Sequence, residues 1–220
     1  MAWQEIEKAR YDAAYATGKY VPVNEIRFYH FWLPGINFSK INTILDIGCG
    51  LGWGVQYFRK IGKIAHGIDI SNRIVWSWKE RKIDKFCEVA SADSIPFPDD
   101  SFDLVMCLDV LEHIPCYAMQ DVLREIRRVG NHDFVFLICC EPAHDKMPHD
   151  GSEPHICIHD YEWWREQMIE AEYINAPLDI REDHVMIYCI KELIDKQKRT
   201  SAGDSLLLYK KDELAENRKS

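Results

Sequence analysis

The stretch that decides the fold class is Ile44-Leu45-Asp46-Ile47-Gly48-Cys49-Gly50-Leu51-Gly52. Its first residues belong to a short apolar strand, and helical spacing follows over 52–61. Glycines between a strand and a helix let the backbone turn sharply and approach a ligand closely. The helix that follows presents free N–H groups and the positive end of its dipole. This arrangement predicts a nucleotide-like ligand beyond the carboxyl end of the strand.

An acidic residue at the end of the next predicted strand supports this prediction. Asp69 lies 23 positions after Asp46, about where α/β nucleotide sites carry a ribose-binding carboxylate. The glycine series excludes a dinucleotide fingerprint, because Trp53 stands where the third glycine is required. The sequence also lacks the Gly-Lys-Ser/Thr of a phosphate-binding loop. A different nucleotide-like cofactor is therefore expected.

Apolar, β-branched runs alternate with helically spaced stretches around this loop. The predicted strands are 43–47, 64–70, 86–90, 102–108, 134–140, 173–180 and 184–190, and the predicted helices between them are 52–61, 73–82, 117–129 and 160–171. This alternation is typical of an α/β fold, in which a mainly parallel sheet lies between two layers of helices. The gap between the last two strands is too short for a helix, which predicts an antiparallel hairpin at the sheet edge.

The composition limits the class of protein and its partners. The chain has 220 residues, 47% of them hydrophobic, which suits one domain with its own core. A net charge of −9 disfavours binding to nucleic-acid backbones. No apolar run of about 18 residues predicts a membrane span, and the N-terminus lacks the apolar core of a signal peptide. The eight cysteines form no CxxC pair, so we expect reduced thiols in a cytoplasmic protein.

Further motifs follow the glycine loop in order. They are Ser91-Ala92-Asp93-Ser94-Ile95-Pro96-Phe97-Pro98-Asp99-Asp100-Ser101-Phe102-Asp103-Leu104-Val105, then Asp109-Val110-Leu111-Glu112-His113-Ile114, then Leu123-Arg124-Glu125-Ile126-Arg127-Arg128-Val129. Together, over residues 41–140, they resemble class I S-adenosylmethionine-dependent methyltransferases, nearest the small-molecule branch that includes the ubiquinone and menaquinone enzymes. The resemblance implies a Rossmann-like three-layer sandwich with a seven-stranded sheet of order 3-2-1-4-5-7-6 and an antiparallel last strand.

The resemblance also implies which residues bind S-adenosylmethionine. The implied contacts are Asp46, Gly48, Gly50 and Gly52 for the methionine part, Cys107 and Leu108 on its side, Asp69 for the ribose hydroxyls, and Ile70 and Ala92 for adenine. Ser91 stands where this family often has Asp, so either Asp93 makes the adenine contact or that contact is weaker. The family's Lys-Pro-Gly-Gly turn before strand five is replaced by 130–133, which changes a connection but not the cofactor site.

The resemblance and the residue pattern together suggest three segments. Residues 1–40 are rich in aromatic residues and are interpreted as an N-terminal helical lid, with one helix at 3–16 and a second before Pro34. Tyr11 and Tyr15, one helical turn apart, are the candidates in this lid for contact with the sulfonium. Residues 41–190 form the methyltransferase domain, and 191–220 form a charged tail that is expected to be a frayed helix or disordered.

Histidines are the main candidates for the proton acceptor that methylation of a hydroxyl requires. His113 ends the Asp-Val-Leu-Glu-His motif and is expected near the transferred methyl group, its alternative being a structural role in the loop. The long non-periodic segment 141–159 adds Glu141, His144, His149, His155 and His159, of which the resemblance favours His155 and His159. The spacing of these histidines matches no zinc pattern, so no metal site is expected.

The sequence therefore predicts an enzyme that transfers a methyl group from S-adenosylmethionine to a small acceptor. Oxygen is the expected methylated atom, on a sugar or a natural-product intermediate. Three alternatives stay open, namely a protein or peptide methyltransferase, an aminopropyl transferase, and a cofactor-binding regulator without catalysis. The oligomeric state and the identity of the acceptor are not predicted.

Overall fold

The computed structural model describes residues 2–20, 38–173, 178–180 and 184–189. The strands form one sheet of order β3-β2-β1-β4-β5-β7-β6. Their bounds are β1 Thr43–Ile47, β2 Ile64–Asp69, β3 Cys87–Val89, β4 Phe102–Leu108, β5 Gly130–Cys139, β6 Leu178–Ile180 and β7 His184–Cys189. β1 to β5 pair in parallel, whereas β7 runs antiparallel to both β5 and β6. The predicted Rossmann-like class is confirmed.

Helices cover both faces of the sheet. Their bounds are α1 Trp3–Ala16, α2 Trp53–Lys60, α3 Val75–Glu80, α4 Met119–Val129 and α5 Tyr161–Glu170. Because successive side chains of a strand point to opposite faces, Ile44 packs with α2 and α3, whereas Leu45 packs with α4 and α5. The two core clusters that result give the three-layer sandwich. In the described part of the chain, no helix is both long and apolar enough to cross a membrane.

Two predicted strand bounds were wrong by more than one residue. The predicted turn at 130–133 belongs to β5, which begins at Gly130 beside Phe102 and shifts register against β4 before Leu104. Tyr173 was predicted to start β6, but it follows the last turn of α5 and is buried, with its hydroxyl donating to the carbonyl of Leu123 at 2.7 Å. The expected helix before Pro34 and the tail 191–220 lie outside the described residues.

The expectation that all cysteines are reduced thiols was also wrong, because Cys116 is joined to Cys157 by a disulfide. Cys116 follows Pro115 after the His113 turn, and Cys157 lies in the segment that precedes α5. The two residues are 41 positions apart, and the fold brings their Cα atoms to 5.2 Å. No local spacing in the sequence signals such a pair, because the contact is tertiary.

Candidate active site

A cleft of about 720 Å³, the solvent space at its mouth included, lies beyond the carboxyl ends of β1, β2 and β4. This is the edge of an α/β sheet at which ligands bind. The cleft lies between the sheet and α1. Its lining residues are Trp3, Glu7, Tyr11, Tyr15, Tyr20, Ile47, Gly48, Gly50, Ile68, Asp69, Ile70, Ala90, Ser91, Ala92, Asp109, Val110, His113 and Ile114.

The backbone at Gly48 leaves no room for a side chain. Gly48 has φ +69°, and a Cβ built there would lie 2.3 Å from Cγ2 of Val110. Both the left-handed conformation and the close approach require glycine. Gly48 therefore contributes only backbone to the lining and packs closely against Val110, which lines the same cleft.

Asp69 ends β2 at the cleft wall. Its Oδ2 accepts a hydrogen bond from the Gly50 amide at 3.0 Å, and its Oδ1 accepts one from the Ser71 amide at 2.9 Å. Burial raises the pKa of Asp69 to about 6, although the two amides favour the carboxylate. A carboxylate oriented in this way retains lone pairs for the hydroxyls of a ribose.

One face of α1 forms the outer wall of the cleft. Trp3, Glu7, Tyr11 and Tyr15 follow each other at intervals of four residues, so they lie on the same side of the helix. Tyr20, just after the helix, packs edge-on against Tyr11 and Tyr15, with ring centroids 5.8 Å and 5.1 Å apart. Aromatic rings on the wall of a binding site attract cations such as a sulfonium.

Polar side chains along α1 attach the helix to the rest of the molecule. Asp12 accepts hydrogen bonds from the Ser71 hydroxyl at 2.6 Å and from the amide of Asn72 at 2.9 Å. Arg10 donates to Ser152 Oγ at 3.0 Å and to the carbonyl of Glu153. Gln4 donates to Asp93, whose other oxygen accepts from Ser91 Oγ at 2.5 Å. The helix is thus anchored to the segments that follow β2 and β3 and to residues 141–159, which we call the late loop.

His113 lines the cleft and packs edge-on against Tyr11 of α1, with the two ring centroids 5.8 Å apart. Its Nδ1 lies 3.0 Å from the carbonyl oxygen of Pro154. A carbonyl only accepts, so the proton is assigned to Nδ1 and Nε2 keeps its lone pair. Burial lowers the pKa of His113 to about 4 against the effect of the Pro154 bond, so the ring is neutral at neutral pH.

A second histidine and a buried acid lie behind His113. The ring of His155 is 4.9 Å from that of His113, and its Nδ1 contacts the carbonyl oxygen of Glu141 at 2.6 Å. Burial opposes protonation of His155, but Cys139, the Glu141 carbonyl and Glu112 outweigh it and raise its pKa to about 9. Burial and the charge of Asp109 raise the pKa of Glu112, which accepts from the Cys139 amide at 3.1 Å.

The structure places some of the predicted site residues in the cleft and others away from it. The residues that line the cleft are Tyr11, Tyr15, Gly48, Gly50, Asp69, Ile70, Ser91, Ala92 and His113. Cys107 belongs to the core on one face of the sheet, and Leu108 packs against the core on the other face. Strand β4 continues through Leu108, so the residues that reach the cleft are Asp109 and Val110. Asp46 is buried in β1, beneath the lining.

The remaining candidates have other surroundings. Gly52 caps α2, and its Cα faces Ile83 and Trp78 rather than the cleft. Glu141 is exposed and contributes a carbonyl to His155 instead of its carboxylate. His159 lies with Nε2 3.3 Å from Cys116 Sγ and stacks on Trp163. Among the exposed loop residues, His144 and His149 are not part of the lining.

Sequence reasoning missed several lining residues. Trp3 and Glu7 share the four-residue spacing of Tyr11 and Tyr15, so the periodicity of the predicted helix was the signal that could have found them. Asp109 and Val110 stand in the quoted His113 motif, but the sequence does not show where β4 ends.

Two clusters in the described ranges bring three possible metal ligands within 4.8 Å of one another. They are Cys116, Cys157 and His159, and Glu112, His113 and His155. In the first cluster the two sulfurs are bonded to each other. The second is built around two imidazoles whose Nδ1 atoms are engaged by backbone carbonyls.

The match with known proteins defines the class of this domain. Residues 45–138 match the family model described as a methyltransferase domain. The bare backbone at Gly48, the carboxylate of Asp69 and the aromatic wall of α1 fit S-adenosylmethionine in its nucleoside and sulfonium parts. Residues 45–138 therefore form a class I, S-adenosylmethionine-dependent methyltransferase domain, and the resemblance noted from the motifs is confirmed.

Two curated relatives and one solved structure are similar to the chain. Phosphoethanolamine N-methyltransferase 1 of Arabidopsis thaliana is 24% identical over 89% of this chain, a match that covers 42% of the plant enzyme. A ubiquinone biosynthesis O-methyltransferase of Cupriavidus pinatubonensis is 27% identical over 71% of this chain and 68% of its own length. Magnesium protoporphyrin IX methyltransferase of Synechocystis, solved with S-adenosylhomocysteine, superposes with a TM-score of 0.56 at 15% identity, over 84% of this chain and 97% of that one.

The chain thus spans less than half the length of the Arabidopsis enzyme. The two curated relatives methylate different kinds of atom by their names, one nitrogen and the other oxygen. The comparisons therefore give the class of the domain, whereas the acceptor must be inferred from the cleft.

Proposed function

We propose that the chain catalyses transfer of a methyl group from S-adenosylmethionine to a hydroxyl of a small acceptor. The observation that carries the proposal is His113, a neutral imidazole on the wall of a cleft that is suited to this cofactor. The cofactor supplies an electrophilic methyl group on a positively charged sulfur. The chain supplies the alignment of the acceptor and a place for the acceptor's proton.

The tautomer of His113 suits it to that role. With Nδ1 donating to Pro154, Nε2 is the nitrogen left to accept a proton from a hydroxyl in the cleft. Its lowered pKa makes it a weak base in the ground state. A hydroxyl becomes strongly acidic as its oxygen bonds to the methyl carbon, so a weak base in place is sufficient during the transfer.

The charge of the cleft narrows the class of acceptor. Glu7, Asp69 and Asp109 line it, and none of the described lining residues is Lys or Arg. The two cations of α1 are paired with acids of the same helix, Lys8 with Asp12 at 3.1 Å and Arg10 with Glu7 at 3.4 Å. A phosphorylated or carboxylated acceptor has no cation among these lining residues to bind it, so a neutral acceptor is favoured.

The acidic lining also supports a second candidate, N-methylation of an amine. Asp109 in the lining suits a positively charged ammonium, and the similarity to an enzyme named for N-methylation of phosphoethanolamine is consistent with an amine. The absence of Lys and Arg from the described lining disfavours the phosphate of such a substrate.

A label-transfer assay with one variant tests the proposal and separates the two candidates. Purified protein is incubated with methyl-labelled S-adenosylmethionine and panels of neutral alcohols, phenols and amines, and the labelled products are identified. In His113→Asn the amide nitrogen still donates to Pro154, but the Nε2 acceptor is lost. We expect methylation of a hydroxyl to fall by about 100-fold or more in kcat.

Binding of S-adenosylhomocysteine to His113→Asn should change little, since Asp69 and Gly48 are untouched. His144→Ala, on the exposed part of the late loop, is the matched control and should retain activity. Labelled amines with no labelled alcohol, or full hydroxyl activity in His113→Asn, would contradict the proposal.

A further inference from the structure

The disulfide between Cys116 and Cys157 joins two segments that meet beside His113. Cys116 follows the His113 turn by three positions, and Cys157 belongs to 154–157, which we call the acceptor-side segment. The other cysteines whose side chains the structure describes lie outside any disulfide, namely Cys49, Cys87, Cys107, Cys139 and Cys140. The single disulfide among the described residues thus lies close in sequence to His113, which lines the candidate active site.

The acceptor-side segment is held to the same turn by backbone hydrogen bonds. The amides of Ile156 and Cys157 donate to the carbonyl of Glu112 at 2.8 Å and 3.0 Å. The carbonyl of Pro154 accepts from His113 Nδ1. The disulfide therefore closes a covalent ring around the contacts that set the tautomer of His113. Opening it leaves these hydrogen bonds to hold the segment without a covalent link.

The surroundings of the two sulfurs differ in a way that suits exchange with an external thiol. Cys157 is fully buried, whereas Cys116 is partly exposed beside the exposed Tyr117. His159 Nε2 lies 3.3 Å from Cys116 Sγ, in reach to hold or release a proton at the sulfur. Stacking on Trp163, with ring centroids 3.9 Å apart, fixes that imidazole in place. An imidazole beside a cysteine is typical of reactive thiols.

We propose that Cys116 and Cys157 form a reversible redox latch, which fastens the acceptor-side segment onto the His113 turn and is opened by a dithiol reductant. A thiolate of the reductant attacks Cys116 Sγ, the S–S bond breaks, and Cys157 leaves as a thiolate that takes up a proton. The second thiol of the reductant then attacks the mixed disulfide and releases Cys116. The reductant becomes a disulfide, and its two electrons and two protons pass to the two cysteines.

The proposed latch is connected to α1 through Ser152 and Glu153. Arg10 of α1 donates to Ser152 and to the carbonyl of Glu153, directly before the acceptor-side segment. Release of that segment loosens one of the anchors of α1 as well as the contact of Pro154 with His113. Reduction of the disulfide is therefore expected to weaken methyl transfer, and this effect rests on the proposed function. Reduction is also expected to loosen the loop, and this effect is independent of the proposed function.

Hydrogen exchange of the full chain measures the loop directly. Oxidised wild-type protein and protein reduced with excess dithiothreitol are compared, with the thiol count confirmed by mass. We expect amide exchange over 152–159 to rise by about tenfold or more on reduction, with β1 and β4 unchanged. Equal protection in the two forms would overturn the latch, whether or not any acceptor is methylated. Reduction of the wild-type chain needs no substitution, so a variant that fails to fold cannot obscure the result.

Substitutions assign the effect to this pair. Cys157→Ser should exchange like reduced wild type in both conditions, whereas Cys140→Ser, at a partly buried cysteine of the same region outside the disulfide, should keep the full response. His159→Gln should slow reduction by dithiothreitol by about tenfold without changing the two end states. A redox titration with glutathione completes the test. If the Cys116–Cys157 disulfide stays oxidised at every ratio of reduced to oxidised glutathione, the bond is purely structural and the proposal of a reversible latch is overturned.

Discussion

The hydroxyl of Ser71 donates a 2.6 Å hydrogen bond to Oδ1 of Asp12, which joins the N-terminal helix to the loop after β2. The same oxygen accepts from the amides of Asn72 and Arg73, at the start of a short 3-10 helix. One carboxylate thus closes the cleft on the side of Asp69 and caps a helical turn. Asp12 was not among the residues singled out from the sequence.

Asp12→Ala is expected to reduce both stability and ligand binding. Loss of the cap and of the Ser71 bond should lower the free energy of unfolding by about 1–2 kcal/mol in urea denaturation. The affinity for S-adenosylhomocysteine, measured by calorimetry, should fall because α1 loses an anchor. Asp121→Ala, which removes an exposed ion pair with Arg124, is the control and should change stability by less than about 0.5 kcal/mol. Equal effects of the two substitutions would show that the cap is unimportant.

Asp12 also gives a pH dependence. Burial favours the protonated acid, but the hydrogen bonds from Ser71, Lys8 and Arg73 outweigh it and lower the pKa of Asp12. A depressed pKa in the folded state contributes stability at neutral pH that is lost as the pH falls through that value. The difference in free energy of unfolding between the wild-type protein and Asp12→Ala should therefore become smaller as the pH falls through the pKa of Asp12.

Gly48→Ala tests the close packing of Gly48 against Val110 in the cleft lining. The added Cβ meets Val110 Cγ2 at 2.3 Å in a left-handed backbone, so the free energy of unfolding should fall by about 2–4 kcal/mol. Gly62→Ala is a matched control, since Gly62 has φ +88° and no neighbouring atom within 4 Å of the place that a Cβ would take. It should cost only the backbone strain of about 1 kcal/mol.

The clash at Gly48 has a specific partner, which allows a rescue experiment. Val110→Ala removes the methyl group that the new Cβ meets. The double variant should recover part of the stability lost in Gly48→Ala, measured by thermal unfolding. No recovery in the double variant would mean that strain at Gly48, not contact with Val110, dominates.

Ligand binding should depend on the protonation of Asp69. Its pKa is raised to about 6, mainly by burial. Hydroxyl groups of a ribose donate to the carboxylate better than to the acid, so the affinity for S-adenosylhomocysteine should weaken as the pH falls below about 6, by up to tenfold per unit. Asp69→Asn should bind weakly with no such dependence. A flat profile for the wild-type protein would contradict the assigned role.

We expect the disulfide to raise the free energy of unfolding of the whole domain as well as to protect the loop from hydrogen exchange. Closing a chain of about 41 residues restricts the unfolded state, and the entropy of loop closure corresponds to about 4 kcal/mol. The double variant Cys116→Ser, Cys157→Ser should lose most of this amount in urea unfolding, and reduced wild type should match it. A double variant as stable as the oxidised protein would show that the bond constrains nothing in the unfolded chain.

Local patterns predicted the elements well, because their signals lie within a few residues. The helix expected at 3–16 is α1, Trp3–Ala16, and the first and fourth strands have the expected bounds. Contacts between distant segments were beyond the sequence. The disulfide joins Cys116 to Cys157, which are 41 positions apart. The hydrogen bond from Arg10 to Ser152 joins residues 142 positions apart. Such pairs become neighbours only when the sheet has formed.

The short length of α1 and the positions of its anchors affect how the cleft forms and how ligands enter it. The helix has 14 residues and no side-chain hydrogen bond at its N-cap Ala2, and helices of this length are marginal in isolation. Its anchors at Ser71 and Ser152 come much later in the chain and depend on the folded sheet for their positions. We therefore expect α1 to complete the wall only after the sheet has formed, and to detach by local unfolding while the sheet stays folded. Ligand exchange would then be governed by the rate at which this helix leaves and returns.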